Sequence, residues 1–252
     1  MSQSNNNKIY FASDFHLGAP NAEESLKREK KIVQWLDEIK VDAKEIYLVG
    51  DIFDFWFEYK TVIPRGFVRL QGKIAELTDN GIPIHIFTGN HDMWIFDYLP
   101  KELGVSLYRD NIVKDFNGKK FLIGHGDGLG PGDRNYKMLK GFFASKLCQW
   151  AFARIHPNFG IGIANAWSRK SRKSNIDYDE VFHGEEKEDL IIFCNEYIKK
   201  DPIIDYFIFG HRHLPLEINI GNKAKYINLG EWIKFNSYAV FDGEKLELKK
   251  YK

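Results

Sequence analysis

The stretch Lys8-Ile9-Tyr10-Phe11-Ala12-Ser13-Asp14-Phe15-His16 is an apolar run that ends on two metal-binding side chains. Such a run reads as a buried strand, with Asp14 at its carboxyl end. The arrangement recurs: Ile46-Tyr47-Leu48-Val49 ends at Gly50-Asp51-Ile52-Phe53-Asp54, and Ile84-His85-Ile86-Phe87-Thr88 delivers Gly89-Asn90-His91-Asp92. Between the first two runs, Ile32, Trp35, Leu36 and Ile39 fall at helical spacing and predict a helix from the mid-twenties to about residue 40. A second helix is closed by Asn80-Gly81. Strand, loop and helix in repetition predict a mostly parallel sheet with helices on its faces, and ligands there bind beyond the carboxyl ends of the strands.

The second half changes character. Asn117-Gly118 divides Ile112–Phe116 from Lys120–Ile123, a hairpin signal, and Gly124-His125-Gly126-Asp127 follows directly. Gly221-Asn222 and Asp242-Gly243 separate further short strand-like runs, so a mixed or antiparallel sheet is expected beside the first. A fifth motif, Gly210-His211-Arg212-His213, precedes them. From Gly130 to about Glu186 no strand signal occurs. Tyr136, Leu139, Phe142, Phe143, Leu147, Trp150, Ala151 and Ile155 predict one amphipathic helix or two short ones, and Pro157-Asn158-Phe159-Gly160 predicts a break. Ile161–Trp167 then leads into the basic run Arg169-Lys170-Ser171-Arg172-Lys173. The expectation is a single domain over residues 1–252 with a helical insertion at about 131–186 standing over the site.

The chain has 252 residues and a formal net charge of +1, so no strong global field drives nucleic-acid binding. Nothing approaches the ~18 consecutive apolar residues of a membrane-spanning helix, and any membrane association is expected to be peripheral. Met1 to Lys8 is polar, lacks the apolar stretch of a secretory signal and reads as a disordered terminus. Cys148 and Cys194 form no Cys-x-x-Cys pair. Both features read as a cytoplasmic protein.

The five motifs offer two carboxylates, one amide and four imidazoles. Hard ions prefer carboxylate oxygen, whereas Mn²⁺, Fe²⁺ and Zn²⁺ also accept imidazole, so the mixture points to transition metal rather than Ca²⁺. Seven donors are enough for two ions if one carboxylate bridges, and Asp51 is the candidate bridge. An isolated Asp14 or Asp51 would instead read as a turn residue or helix N-cap, and isolated His211 and His213 as a loop feature. His85 and His156, which have no partner motif, are assigned to structure.

The ordered set Asp-x-His, Gly-Asp-x-x-Asp, Gly-Asn-His-Asp, Gly-His-Gly-Asp and Gly-His-x-His, spanning residues 14 to 213, resembles the calcineurin-like metallophosphoesterases. The resemblance implies an α/β fold in which two β-sheets are sandwiched between helices (α/β/β/α). It implies that Asp14, His16, Asp51 and His213 hold one divalent ion and Asp51, Asn90, His125 and His211 the other. Paired ions of this kind lie ~3.5–4 Å apart and clamp an in-line displacement. His91 would face the scissile phosphate as proton donor or stabiliser of developing charge. Asp92 would orient its ring, and Asp54 and Asp127 would play supporting roles.

Within that superfamily, Gly50-Asp51-Ile52-Phe53-Asp54-Phe55-Trp56 and the stretch from His125 through Ser174-Asn175 look like the UDP-2,3-diacylglucosamine hydrolases. These cut the pyrophosphate of a nucleotide-linked glycolipid in lipid A biosynthesis, giving UMP and a diacylglucosamine phosphate. The resemblance implies an apolar lid for the acyl chains, Mn²⁺ as the metal, and peripheral contact with the cytoplasmic face of the inner membrane. It implies head-group binding by Asp133, with Asn90, His91 and His211 also touching substrate. Independently, Arg169, Lys170, Ser171, Arg172 and Lys173 offer donors for a diphosphate. Enterobacterial members carry Arg after the motif Asn, where this chain has His91. The alternative substrate is a small soluble nucleotide or a phosphoprotein.

Overall fold

The computed structural model describes residues 7–132, 134–179 and 181–252, without the side chains of residues 135 and 169–179. The expected disordered terminus therefore falls largely outside the described residues, and Lys8 already belongs to the first strand.

Four strands, β1 (Lys8–Ala12), β2 (Ala43–Val49), β3 (Ile84–Phe87) and β4 (Ser106–Tyr108), run parallel in one sheet. The helices between them are α1 (Ala22–Ile39), α2 (Val68–Asp79) and α3 (Tyr98–Leu103). The second sheet holds β5 (Ile112–Phe116), β6 (Lys119–Ile123), β7 (Tyr206–Phe209), β8 (Pro215–Ile220) and β9 (Ala224–Leu229) in the order β5-β6-β7-β9-β8. It is mixed: β6, β7 and β9 are parallel, while β5 and β8 are antiparallel edges.

The carboxyl-terminal hairpin, β10 (Ser237–Phe241) and β11 (Leu246–Lys250), does not extend that second sheet. It crosses to the first, where Phe11 pairs with Ala239, giving the order β11-β10-β1-β2-β3-β4.

Alternation along each strand builds the layers, because successive side chains leave opposite faces. Ile9 and Phe11, Tyr47 and Val49, and Phe87 face the second sheet and pack with Phe121, Ile123, Ile208 and Ile227. Tyr10 and Ala12, Ile46 and Leu48, and Ile84 and Ile86 face the other way, onto Ile32, Trp35 and Leu36 of α1 and Leu70 and Ile74 of α2. On the outer face of the second sheet, Phe207, Phe209 and Tyr226 meet Leu190, Ile191 and Cys194 of α7 (Asp189–Lys200). The architecture is helix, sheet, sheet, helix.

Between β6 and α7 lie α4 (Arg134–Ala144), α5 (Lys146–Phe152) and α6 (Pro157–Asp179). The amphipathic stretch is thus two helices, broken where Ser145 caps α5 by accepting the N–H of Cys148. The break expected at residues 157–160 is instead the start of α6, since proline is tolerated at the first helical position, where no amide proton is required.

Candidate metal centre

The loops after β1, β2, β3, β6 and β7 bring all seven sequence-predicted donors together. One donor atom each from Asp14, His16, Asp51 and His213 lie within 4.8 Å of one another. His213 Nε2 is 3.4 Å and His16 Nε2 3.6 Å from Asp14 Oδ1, and His16 Nε2 is 3.9 Å from Asp51 Oδ2. The same Asp51 Oδ2 is 3.4 Å from His125 Nε2. Asn90 Oδ1 completes this second group at 3.3 Å from His125 Nε2 and 3.1 Å from His211 Nδ1. Asp51 therefore belongs to both groups.

The backbone is bent to achieve this. Asp14 (φ 55°), His16 (44°), Asp51 (51°), His211 (66°) and His213 (45°) all adopt the left-handed region. Non-glycine residues enter it uncommonly and at a cost of order 1–3 kcal/mol each, and such strain gathers at functional sites. Packing over-determines it. Arg28 of α1 is buried and donates to the carbonyls of Phe15 and His16, each at 2.7 Å, fixing the first loop. The His211 N–H donates to Asp14 Oδ2 at 3.0 Å and so locks the last loop to the first.

Glycine precedes the donor in four motifs: at Gly50, Gly89 and Gly210 a neighbouring donor stands where a Cβ would go, and at Gly124 the Asn111 side chain does. At Gly50 (φ +84°) a Cβ would overlap the His125 ring, and at Gly89 it would strike the carboxylate and backbone nitrogen of Asp51.

The group is charged in the way a cation site requires. Burial alone would raise Asp14 and Asp51, but the surrounding histidines outweigh it and hold both carboxyls below their ordinary range. Burial pushes the imidazoles of His16 and His211 down to about 4, leaving them neutral. His125 is the exception: burial opposes its protonation, yet the Asp51 charge and hydrogen bond raise it to about 10. Its Nδ1 donates to the Val49 carbonyl at 2.9 Å, so Nε2 confronts two acceptors, Asp51 Oδ2 and Asn90 Oδ1. That arrangement calls for positive charge between them. Asp14 Oδ1 and His16 Nδ1 are buried without a hydrogen-bond partner. Ionised carboxylates, the neutral imidazoles of His16 and His211, and the unsatisfied buried Asp14 Oδ1 fit divalent metal.

One role differs from expectation. Asp92 does not orient His91. It is fully buried and accepts backbone N–H groups of Gly89 (2.7 Å), Ile52 (2.8 Å) and Phe53 (3.3 Å), stitching the β2 and β3 loops together. The His91 ring is instead held at Nδ1 by the Asp54 carbonyl at 3.0 Å and the Ser168 hydroxyl at 3.1 Å, with Asp54 Oδ1 at 3.6 Å. Asp54 thus touches the ring, and Ser168 was not singled out from sequence. A serine on a long helix carries no local signal of a partner 77 positions away.

The helical insertion rests on these loops. Phe152 of α5 packs on Phe55, Phe57 and Trp94, and Trp94 Nε1 donates to the Phe143 carbonyl of α4 at 3.0 Å. On the opposite side, Tyr136 and Lys140 grip Asp127 at 2.6 and 2.7 Å. Asp133 lies outside the described residues. Arg169, Lys170, Ser171, Arg172 and Lys173 lie on α6, with their side chains outside the description. His85 stacks on Tyr47 with ring centroids 4.4 Å apart, away from the donors.

A two-sheet sandwich with a shared carboxylate and Asp/His/Asn donors at its loop edge defines a metal-dependent phosphoesterase. Residues 7–215 match the calcineurin-like phosphoesterase family, and the chain belongs to it. It is 42% identical over 253 residues to a Porphyromonas gingivalis protein named UDP-2,3-diacylglucosamine hydrolase, covering 96% of this chain and 97% of that one. It is 30% identical over 253 residues to a Vibrio vulnificus protein of the same name, with 96% and 97% covered. An Edwardsiella ictaluri protein, again so named, is 25% identical over 242 residues, with 94% and 90% covered.

Proposed function

We propose that this chain hydrolyses the pyrophosphate of UDP-2,3-diacylglucosamine, giving UMP and 2,3-diacylglucosamine 1-phosphate. The observation that carries the substrate choice is the exposed apolar surface of the helical insertion that packs on the donor loops. Met138, Phe142, Leu147, Trp150, Phe159, Ile163 and Trp167 are all exposed on α4–α6, with Leu147 at 75% and Met138 at 74%. Exposed apolar area on this scale marks a binding surface, and each methylene of an acyl chain buried there contributes about 0.8 kcal/mol. The full-length likeness to enzymes named for this substrate supports the same reading.

Asp14, His16, Asp51 and His213 would hold one ion, and Asp51, Asn90, His125 and His211 the other. The mixed set suits Mn²⁺, Fe²⁺ or Zn²⁺, and the family resemblance favours Mn²⁺. Bound ions supply Lewis-acid charge to the phosphoryl oxygens and acidify a water. The chain's own residues do the rest. Asp51 fixes the spacing of the two donor groups. His91, adjacent to Asn90, is directed by Asp54 and Ser168 to stabilise charge or deliver a proton to the leaving phosphate. Asn90 and His211 line the same edge, and the insertion excludes water as a lid. The run Arg169, Lys170, Ser171, Arg172 and Lys173, together with Asp133, would meet the head group and diphosphate.

The apolar lid also favours peripheral contact with the cytoplasmic face of a membrane. No helix among the described residues is long and apolar enough to cross one. The two cysteines are unpaired, which suits the reducing cytoplasm. His91, where enterobacterial enzymes carry Arg, favours the second reading of a small soluble nucleotide or phosphoprotein substrate.

UMP release from UDP-2,3-diacylglucosamine and from UDP-N-acetylglucosamine, measured in parallel with Mn²⁺-loaded protein, separates the two. Release from the acylated substrate alone is expected; comparable release from both would transfer the protein to the soluble-substrate reading.

A further inference from the structure

The geometry points to Ser168 as a positioning residue that makes His91 competent only when α6 is seated on the site, an inference resting on the role of His91 proposed above. Ser168 is 7% exposed although it lies on a helix whose neighbour Trp167 is 58% exposed. Its hydroxyl is 3.1 Å from His91 Nδ1 and brings α6 into contact with the ring.

The other contact to Nδ1 fixes the tautomer. The Asp54 carbonyl at 3.0 Å can only accept, so Nδ1 carries a proton and Nε2 is the ring atom left for substrate, which it serves as donor only when it carries a second proton. That carbonyl and the Asp54 carboxylate, 3.6 Å from Nδ1, come from one loop, so the ring could still tilt with it. An oxygen at Nδ1 supplied by another element removes that tilt by giving the proton a shared, three-centre environment. Ser168 therefore sets ring orientation rather than charge.

The surrounding packing ties this contact to lid seating. Gly160, earlier on α6, leaves no room for a Cβ, which would stand 2.7 Å from the Tyr59 hydroxyl and 3.2 Å from the Phe152 ring. That ring in turn packs on Phe57 and Trp94, in the loops that also carry Asp54 and His91. Lifting α6 would break this packing and withdraw the Ser168 hydroxyl together. The coupling places chemistry after lid closure, so that the phosphate is attacked only in a covered site.

A double-mutant cycle tests this. Ser168→Ala should lower kcat about tenfold, the loss of one buried hydrogen bond, with KM within about twofold. The same change in a His91→Ala background should cost nothing further, and Ser168→Thr should restore most of the rate. Equal losses in both backgrounds, or a change confined to KM, would overturn the inference. In metal-free protein, the ¹⁵N imidazole signals of His91 should shift or broaden in Ser168→Ala, and unchanged signals would also overturn it. The cycle is run on UDP-2,3-diacylglucosamine and on bis(p-nitrophenyl) phosphate. A wild type inactive on the glycolipid, with the coupling intact on the diester, would sink the substrate reading and leave the Ser168 inference standing.

Discussion

The backbone N–H of His91 donates to Asp51 Oδ1 at 2.8 Å. This single bond divides the labour of the Asp51 carboxylate. Oδ1 is held by the loop that carries Asn90 and His91, and Oδ2 is left facing His16 and His125 at 3.9 and 3.4 Å. The shared member of the two donor groups is thus oriented by the loop bearing the proposed catalytic imidazole, so distortion of either loop should disturb both.

Asp92 gives that interlock its strength. Asp92→Ala would leave the amides of Gly89, Ile52 and Phe53 without their acceptor. Unsatisfied buried donors cost about 1–3 kcal/mol each, so urea denaturation should show a loss of at least about 2 kcal/mol. Metal affinity, followed by titration, should fall about 10- to 100-fold as loop orientation is lost. Unchanged affinity would mean that the loops do not depend on this carboxylate.

Gly89→Ala should be nearly inactive. Its methyl would enter the space of the Asp51 carboxylate and backbone, neither of which can retreat without moving the bridge. Overpacking of this kind costs about 1–3 kcal/mol, detectable as a lower thermal midpoint alongside the lost turnover. Gly104→Ala, where the left-handed φ of +68° is strained but the nearest side-chain atom is 3.5 Å away, should lose comparable stability and keep its activity.

Leu147→Lys separates the apolar surface from the fold. The residue is 75% exposed, so stability should stay within about 0.5 kcal/mol of wild type. Burial of a Leu side chain is worth about 1.5–3 kcal/mol, so KM for the diacylated substrate should rise about tenfold or more while turnover of bis(p-nitrophenyl) phosphate is unchanged. Equal effects on both substrates would argue against acyl binding there.

Chelation should abolish activity and leave secondary structure by circular dichroism unchanged, since three apolar clusters hold the sheets independently of the donors. The thermal midpoint should nevertheless fall on metal removal, because an ion present at about 100 times its Kd contributes about 2.7 kcal/mol.

Much of this was legible in the sequence because the site uses local grammar. Apolar runs ending in Gly-Asp, Gly-Asn-His or Gly-His mark a strand and its loop within a few residues, and hairpins announce themselves through Asn117-Gly118. What escaped is non-local. The pairing of Phe11 with Ala239 joins residues more than two hundred positions apart, and nothing near Ser237–Phe241 says which sheet it will enter. Asp92 sits beside His91 in sequence, which suggested a shared task, but its neighbours in space are backbone amides of another loop. Pro157 read as a breaker because proline ends helices as readily as it begins them; only the preceding chain direction decides which.

Metal stoichiometry tests the central claim most directly. If Asp51 is shared by two donor groups, elemental analysis after Mn²⁺ loading and desalting should find two ions per chain in wild type, and one in each of His213→Ala and His211→Ala. Asp51→Ala, folded by circular dichroism, should retain essentially none. Two ions retained in Asp51→Ala, or a single ion in wild type unaffected by either histidine substitution, would contradict the two-metal centre.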